Sequence, residues 1–291
     1  MTRDANVRWI VGIDGSDAAI DAMHWAARHA AERNAELVAV SAFHVPAVMA
    51  AFTAKRGMGV DEIGLAATAA HDIDVAIEQA SGDVEPGTVM VQPRVEEGQA
   101  AHVLVDLAAD ADLLVIGRRG SGELRDHLLG SVSRYCATHA STPVVVVPDG
   151  WEQRTSETIA VGFDGSDNAR DAVSWALDFA GDSRTVRIVA AIDVAPWLDA
   201  TVTRQRFPDE IAEQEQRVNE QLDAIDVEGR AERSIVLHGP RQAIAEAAGS
   251  SDLLVVGARG RGDVAVGHLG SVSTWILHDT NAPVVVVPRK R

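Results

Sequence analysis

The sequence predicts an α/β protein of two tandem doubly wound domains, each a parallel sheet with helices on both faces. Three observations lead there. Short continuous apolar runs alternate with segments of helical period along the whole chain, the pattern of successive strand–helix units whose strands are buried on both sides. The pattern occurs twice: Val11-Gly12-Ile13-Asp14-Gly15-Ser16 returns as Val161-Gly162-Phe163-Asp164-Gly165-Ser166, and Trp25 as Trp175, at an offset of 150. Residues 113–148 and 253–288 align without a gap at an offset of 140, and 18 of these 36 positions are identical. Such self-similarity marks a duplicated unit. The second copy is shorter in the region matching Pro46–Gly87.

Each element has a local reason. Trp9–Ile13 is short, apolar and β-branched, hence a strand. Ser16-Asp17 supplies an N-cap and an acidic first turn, and Ala19, Ile20, Met23, Ala27 and Ala30 follow at helical spacing. Leu37–Phe43 is a second strand, Ile63–Ala80 a helix and Thr88–Gln92 a third strand. Ala100–Ala108 is a helix with Val103, Leu104 and Leu107 on one face. Leu113–Ile116, ended by Gly117, is a fourth strand. Ser131–His139 is a helix, and Val144–Val147 a fifth strand between prolines. In the second copy the strands fall near Ile159–Phe163, Val186–Ile192, Ser234–Leu237, Leu253–Val256 and Val284–Val287. The domains span 1–150 and 156–291, meeting in a polar connector around Gly150.

Composition narrows the function. The 291 residues carry a formal charge of −17, with −10 on 1–150 and −7 on 151–291. Each half would repel a phosphate backbone or an anionic membrane, so neither nucleic acid nor membrane is expected as a partner. Cys136 is the only cysteine, which excludes an internal disulfide and a thiolate cluster within one chain. The start of the chain lacks a signal-like apolar stretch, and no run approaches a membrane span. A cytoplasmic location is expected.

Ligands of doubly wound sheets sit beyond the carboxyl ends of the strands where strand order reverses. Two segments converge there. At the end of the first strand, Gly12 offers no side chain to block a ligand, Asp14 can accept hydrogen bonds from an amine or a sugar hydroxyl, and Gly15 turns the chain. The second segment is glycine-rich: Gly117-Arg118-Arg119-Gly120, nine residues, then Gly130-Ser131-Val132-Ser133. Its copy is Gly257-Ala258-Arg259-Gly260, nine residues, then Gly270-Ser271-Val272-Ser273, with Gly122 matched by Gly262. The last glycine opens a helix. Its free amides, the hydroxyls of Ser131 and Ser133 and the helix dipole would receive phosphate oxygens, with Arg119 and Arg259 neutralising charge. A Walker loop is excluded because no lysine lies near either segment, and the dinucleotide fingerprint is excluded because these glycines follow the fourth strand.

This pattern, after an early strand ending in Asp, resembles the universal stress protein family in its ATP-binding subclass and its tandem form. The resemblance covers nearly all of both halves. It implies five-stranded domains of order 3-2-1-4-5 with ATP, accompanied by Mg²⁺, between strands one and four. Carried across, Asp14 and Asp164 would lie beside adenine and ribose, and the backbone near Ala42 and Ala191 would contact adenine; Gly162 and Gly165, the counterparts of Gly12 and Gly15, are expected at the cofactor site of the second copy. Gly117, Gly120, Gly130, Ser131, Val132 and Ser133, with Gly257, Gly260, Gly270, Ser271, Val272 and Ser273, would hold ribose and phosphates. The departure from the commonest family pattern is Ser41 and Ala190 before the adenine-contacting position. The final strands would pair across domains or subunits, implying a homodimer.

The expected role is a nucleotide-dependent stress regulator with one ATP per domain and an unidentified protein partner. The alternatives are a slow ATPase or adenylate-transferring enzyme, with Glu123 and Asp263 aiming water or metal, and an interaction scaffold. His127 and His268 are not at equivalent positions, which weakens a histidine mechanism.

Overall fold

The computed structural model describes residues 7–45, 61–83, 87–121, 129–153, 156–194, 200–225, 229–261 and 268–289. The chain divides into two compact units, Met1–Gly150 and Trp151–Arg291. The first contains β1 (Arg8–Gly12), α1 (Asp17–Arg33), β2 (Glu36–Phe43), α2 (Glu62–Ala80), β3 (Val91–Glu97), α3 (Ala100–Ala108), β4 (Leu113–Gly117), α4 (Ser131–His139) and β5 (Val144–Val147). Its strands run parallel in the order β3-β2-β1-β4-β5. From β1 the chain winds outward through β2 to β3. It then crosses back to lay β4 on the other side of β1, with Val11 opposite Ala39 on one flank and Val115 on the other. Right-handed crossovers in opposite directions put α1 and α2 on one face and α3 and α4 on the other, and each pair packs together.

Burial on both faces explains the unbroken apolar runs. Every residue of β4 and β5 is buried, and each such Val or Leu contributes about 1.5–3 kcal/mol relative to exposure. Helix α1 starts because Ser16 Oγ accepts from the Ala19 amide at 3.2 Å, with Asp17 in its first turn. It ends at Asn34, in the left-handed region at φ 51°. Its buried alanines let it lie close to the sheet. At Gly117 a Cβ would come within 2.5 Å of the Ala18 carbonyl oxygen, so only glycine fits where α1 crosses the end of β4.

The second unit repeats the plan with β6 (Thr158–Phe163), α5 (Asp167–Ala180), β7 (Thr185–Ala191), α6 (Ala200–Arg206), α7 (Pro208–Asp223), β8 (Ala231–Val236), α8 (Pro240–Gly249), β9 (Leu253–Gly257), α9 (Ser271–Asp279) and β10 (Val284–Val287). Its parallel order is β8-β7-β6-β9-β10. Ser166 caps α5 as Ser16 caps α1, its Oγ accepting from the Ala169 amide at 3.2 Å.

The third strand of each unit departs from expectation. Thr88–Gln92 becomes Val91–Glu97, and Ser234–Leu237 becomes Ala231–Val236. Both strands lie at the outer margin with one paired flank, so their burial is slight and their sequences polar. An apolar-run criterion therefore misplaces them. The Leu37 amide donates to Met90 O and the Gly98 amide to Phe43 O. Even-numbered residues of β3 thus turn their peptide groups toward β2, and the nitrogen of Pro93 faces outward, where no ladder bond is lost.

Candidate functional site

The geometry is clearest in the second unit. The carboxyl ends of β6 and β9 and the start of α9 border a cleft of about 280 Å³. Phe163, Val189, Pro240, Ile244 and Val256 give it apolar walls, and Asp164, Arg259 and Arg261 a polar rim. Of the residues expected from sequence, Gly162, Asp164, Ala191, Gly257, Arg259, Gly260, Gly270, Ser271, Val272 and Ser273 line this cleft. Gly165 lies outside the lining, in a turn at φ 81°. In the first unit Gly12, Asp14, Gly15, Ala42, Gly117, Arg119, Gly120, Gly130, Ser131, Val132 and Ser133 hold the corresponding places in the same strand order. Gly122 and Gly262, like Glu123, His127 and Asp263, lie outside the described residues.

The two aspartates act as clasps. Asp14 Oδ1 accepts from the Ser16 amide at 3.2 Å and its hydroxyl at 2.5 Å, and Oδ2 accepts from the Ser121 amide at 2.9 Å. Asp164 repeats this with the Ser166 and Arg261 amides, both at 3.0 Å. Each carboxylate therefore ties the end of the first strand to the loop after the fourth. A Cβ at Gly120 would lie 2.5 Å from Asp14 Oδ2, so that glycine lets the loop reach the clasp. The carboxylates remain exposed on the cleft side.

Three of the expected groups have other partners in the fold. The hydroxyls of Ser133 and Ser273 are engaged with backbone. Both side chains are buried, and each donates at 2.7 Å to the carbonyl of the glycine ending the fourth strand, Gly117 or Gly257. A buried carbonyl at the end of the fourth strand takes the proton, which leaves the amides and Ser131 or Ser271 for an anion. Gly12 does not leave room over the strand for a ligand alone: a Cβ there would lie 2.9 Å from Leu104 Cδ1, and one at Gly162 2.9 Å from Ile244 Cδ1. These glycines admit an apolar side chain of α3 or α8, and in the second unit that side chain, Ile244, is itself a cleft wall. Arg119 is not a free cation: its Nε lies 2.7 Å from Asp149 Oδ2, and Arg118 Nη2 lies 3.7 Å from the same oxygen. Burial pushes the Arg118 guanidinium below its usual pKa, while Asp149 raises it.

Helices α4 and α9 begin at Gly130 and Gly270, and no side chain caps either. Their opening amides have no intrahelical carbonyl to use. The site also contains residues that sequence reading missed. Asn168 accepts from the Arg259 amide at 2.8 Å and donates to the Val287 carbonyl at 3.0 Å, fixing the glycine-rich loop against β10. Asp149 is the other. A residue-by-residue comparison of the copies would have flagged both, because Asn168 faces Ala18 and Asp149 faces Arg289 across the repeat.

Comparison with known proteins agrees with this geometry. The model of the universal stress protein family matches residues 8–148 and again 155–288. A universal stress protein of Mycobacterium tuberculosis is 33% identical over 294 residues, 95% of each chain. One of Mycolicibacterium smegmatis is 33% identical over 297 residues, 96% of each. Among solved structures, a universal stress protein from Archaeoglobus fulgidus matches with a TM-score of 0.68 at 17% identity, over 97% of this chain and 98% of that one; this likeness concerns the fold.

Proposed function

Because the chain belongs to the universal stress protein family, we propose that each of its copies binds ATP and that the protein is a nucleotide-dependent regulator rather than an enzyme. The observation that carries the reading is the pair of helix openings, Gly130 and Gly270, which no side chain caps and which follow a glycine-rich loop. Amides so placed favour phosphate through direct hydrogen bonds and the helix dipole. In the second unit Ser271, Val272 and Ser273 border the cleft beside Arg259, and the apolar walls Phe163, Val189 and Ile244 suit an adenine ring. Backbone near Ala191, which lines the cleft, and near Ala42 in the first unit would meet the base edge. Among the described residues no cluster of three metal-ligating side chains occurs. Mg²⁺, where it accompanies ATP, would be held by the phosphates.

Asp14 and Asp164, engaged with loop amides, would serve as ties between the strand ends and the glycine-rich loops, which supports a binding role for them. Binding would act by setting the glycine-rich loops and, through them, the surface read by a protein partner or a second copy.

The test is mass spectrometry of small molecules released by acid from freshly purified protein, followed by calorimetric titration with ATP. Two ATP per chain are expected, with turnover under about one per minute against a median near 10 s⁻¹ for enzymes. No nucleotide released and no thermal shift with added ATP would overturn the reading.

A further inference from the structure

We propose that the two clefts are unequal anion sites: the second grips the polyphosphate at least about tenfold more tightly than the first, and Asp149 sets the difference. The inference rests on the nucleotide reading above and adds the rank of the sites and the residue responsible.

The two loops have nearly the same glycines but different charge. In the first unit Asp149 follows β5 and lies against both arginines of the loop, Arg119 at 2.7 Å and Arg118 at 3.7 Å. The carboxylate and the Arg119 side chain are each under a third exposed, at 29% and 27%, so solvent screens this pair less than a surface pair. An anion at the opening of α4 would meet a guanidinium already neutralised and would compete with the negative charge beside it. In the second unit the residue after the matching strand and proline is Arg289. Ala258 replaces Arg118, and Arg261 replaces Ser121. Arg259 and Arg261 both line the cleft, and among the described residues no carboxylate lies within ion-pairing distance of the Arg259 side chain. Over these matched positions the first copy has two arginines and one aspartate and the second three arginines, of which Arg259 and Arg261 line the cleft and Arg289 lies outside its lining. A unit charge moved from repelling to attracting a polyphosphate at close range readily changes affinity by a factor of ten or more.

The experiment is calorimetric titration of the full-length chain with Mg-ATP and, separately, with tripolyphosphate, which reports the tail without the base. Wild type should show two classes of site at least about tenfold apart. Asp149→Asn, a near-isosteric change that removes the negative charge beside Arg119, should tighten the weaker class about tenfold and leave the tighter class in place. Arg289→Asp, at an exposed position, should weaken the tighter class by a similar factor. Raising the salt should narrow the wild-type gap. Two ATP bound with equal affinity, unchanged in both variants, would overturn the inference while leaving the nucleotide reading intact. No binding in wild type would end both.

Discussion

The two copies have the same skeleton and handle its crowded points differently. Where the first helix crosses the end of the fourth strand, copy one brings the Ala18 carbonyl to 2.5 Å from a Cβ at Gly117, whereas copy two holds the same approach to 3.0 Å with Asn168. The asparagine then uses its amide to tie the Arg259 nitrogen to the Val287 carbonyl. At the helix core, Cys136 of copy one stands where copy two has Ile276, and both are fully buried. The lesson is that duplication preserved the backbone geometry of the cleft, the clasp aspartates and the buried serines, while packing and charge around them drifted.

The largest test of this contrast is at the crossing point. Gly117→Ala should cost about 3 kcal/mol and Gly257→Ala about 1 kcal/mol, because backbone blocks the first Cβ at shorter range. Urea denaturation of the full chain measures both, and equal losses would show that the crossing is relaxed alike in the two copies. Next, Asn168→Ala should cost about 2 kcal/mol by removing one buried and one partly buried hydrogen bond, and should weaken nucleotide binding in the second cleft through the released loop. Smaller still, Ser133→Ala and Ser273→Ala should each cost about 1 kcal/mol yet leave nucleotide affinity unchanged, since both hydroxyls serve a strand carbonyl. A tenfold loss of affinity in either variant would return the hydroxyl to the phosphate.

Much of this was legible from residues alone. The duplication, the alternation of strands and helices and the glycine spacing followed from apolar runs and from Gly117, Gly120 and Gly130 recurring as Gly257, Gly260 and Gly270, whereas the strand order came from the family resemblance. The outer strands were misplaced because one unpaired flank removes the need for apolar alternation. The roles of Ser133 and Arg119 were hidden for another reason: each is decided by a partner far along the chain or across a turn, the Gly117 carbonyl and Asp149. Spacing identifies which groups share a site but not which of them satisfy one another.

The smallest effect concerns Cys136, whose thiol burial pushes up to about 12 from a usual value of 9.0. It should resist alkylation at neutral pH until the chain unfolds. Its folded pKa lies above its unfolded one, so its stabilising contribution is complete below pH 9 and is lost as pH rises from there toward 12. Cys136→Val should flatten the alkaline limb of the stability profile, whereas Ile276 gives copy two no such dependence.

The outward nitrogen of Pro93 has a consequence for self-association. A strand docking along β3 would find one donor absent, amid Gln92, Arg94, Glu96 and Glu97. The matching margin of the other copy, Ala231–Val236, has no proline. Uncontrolled sheet growth, and the fibrous aggregates it seeds, would start there.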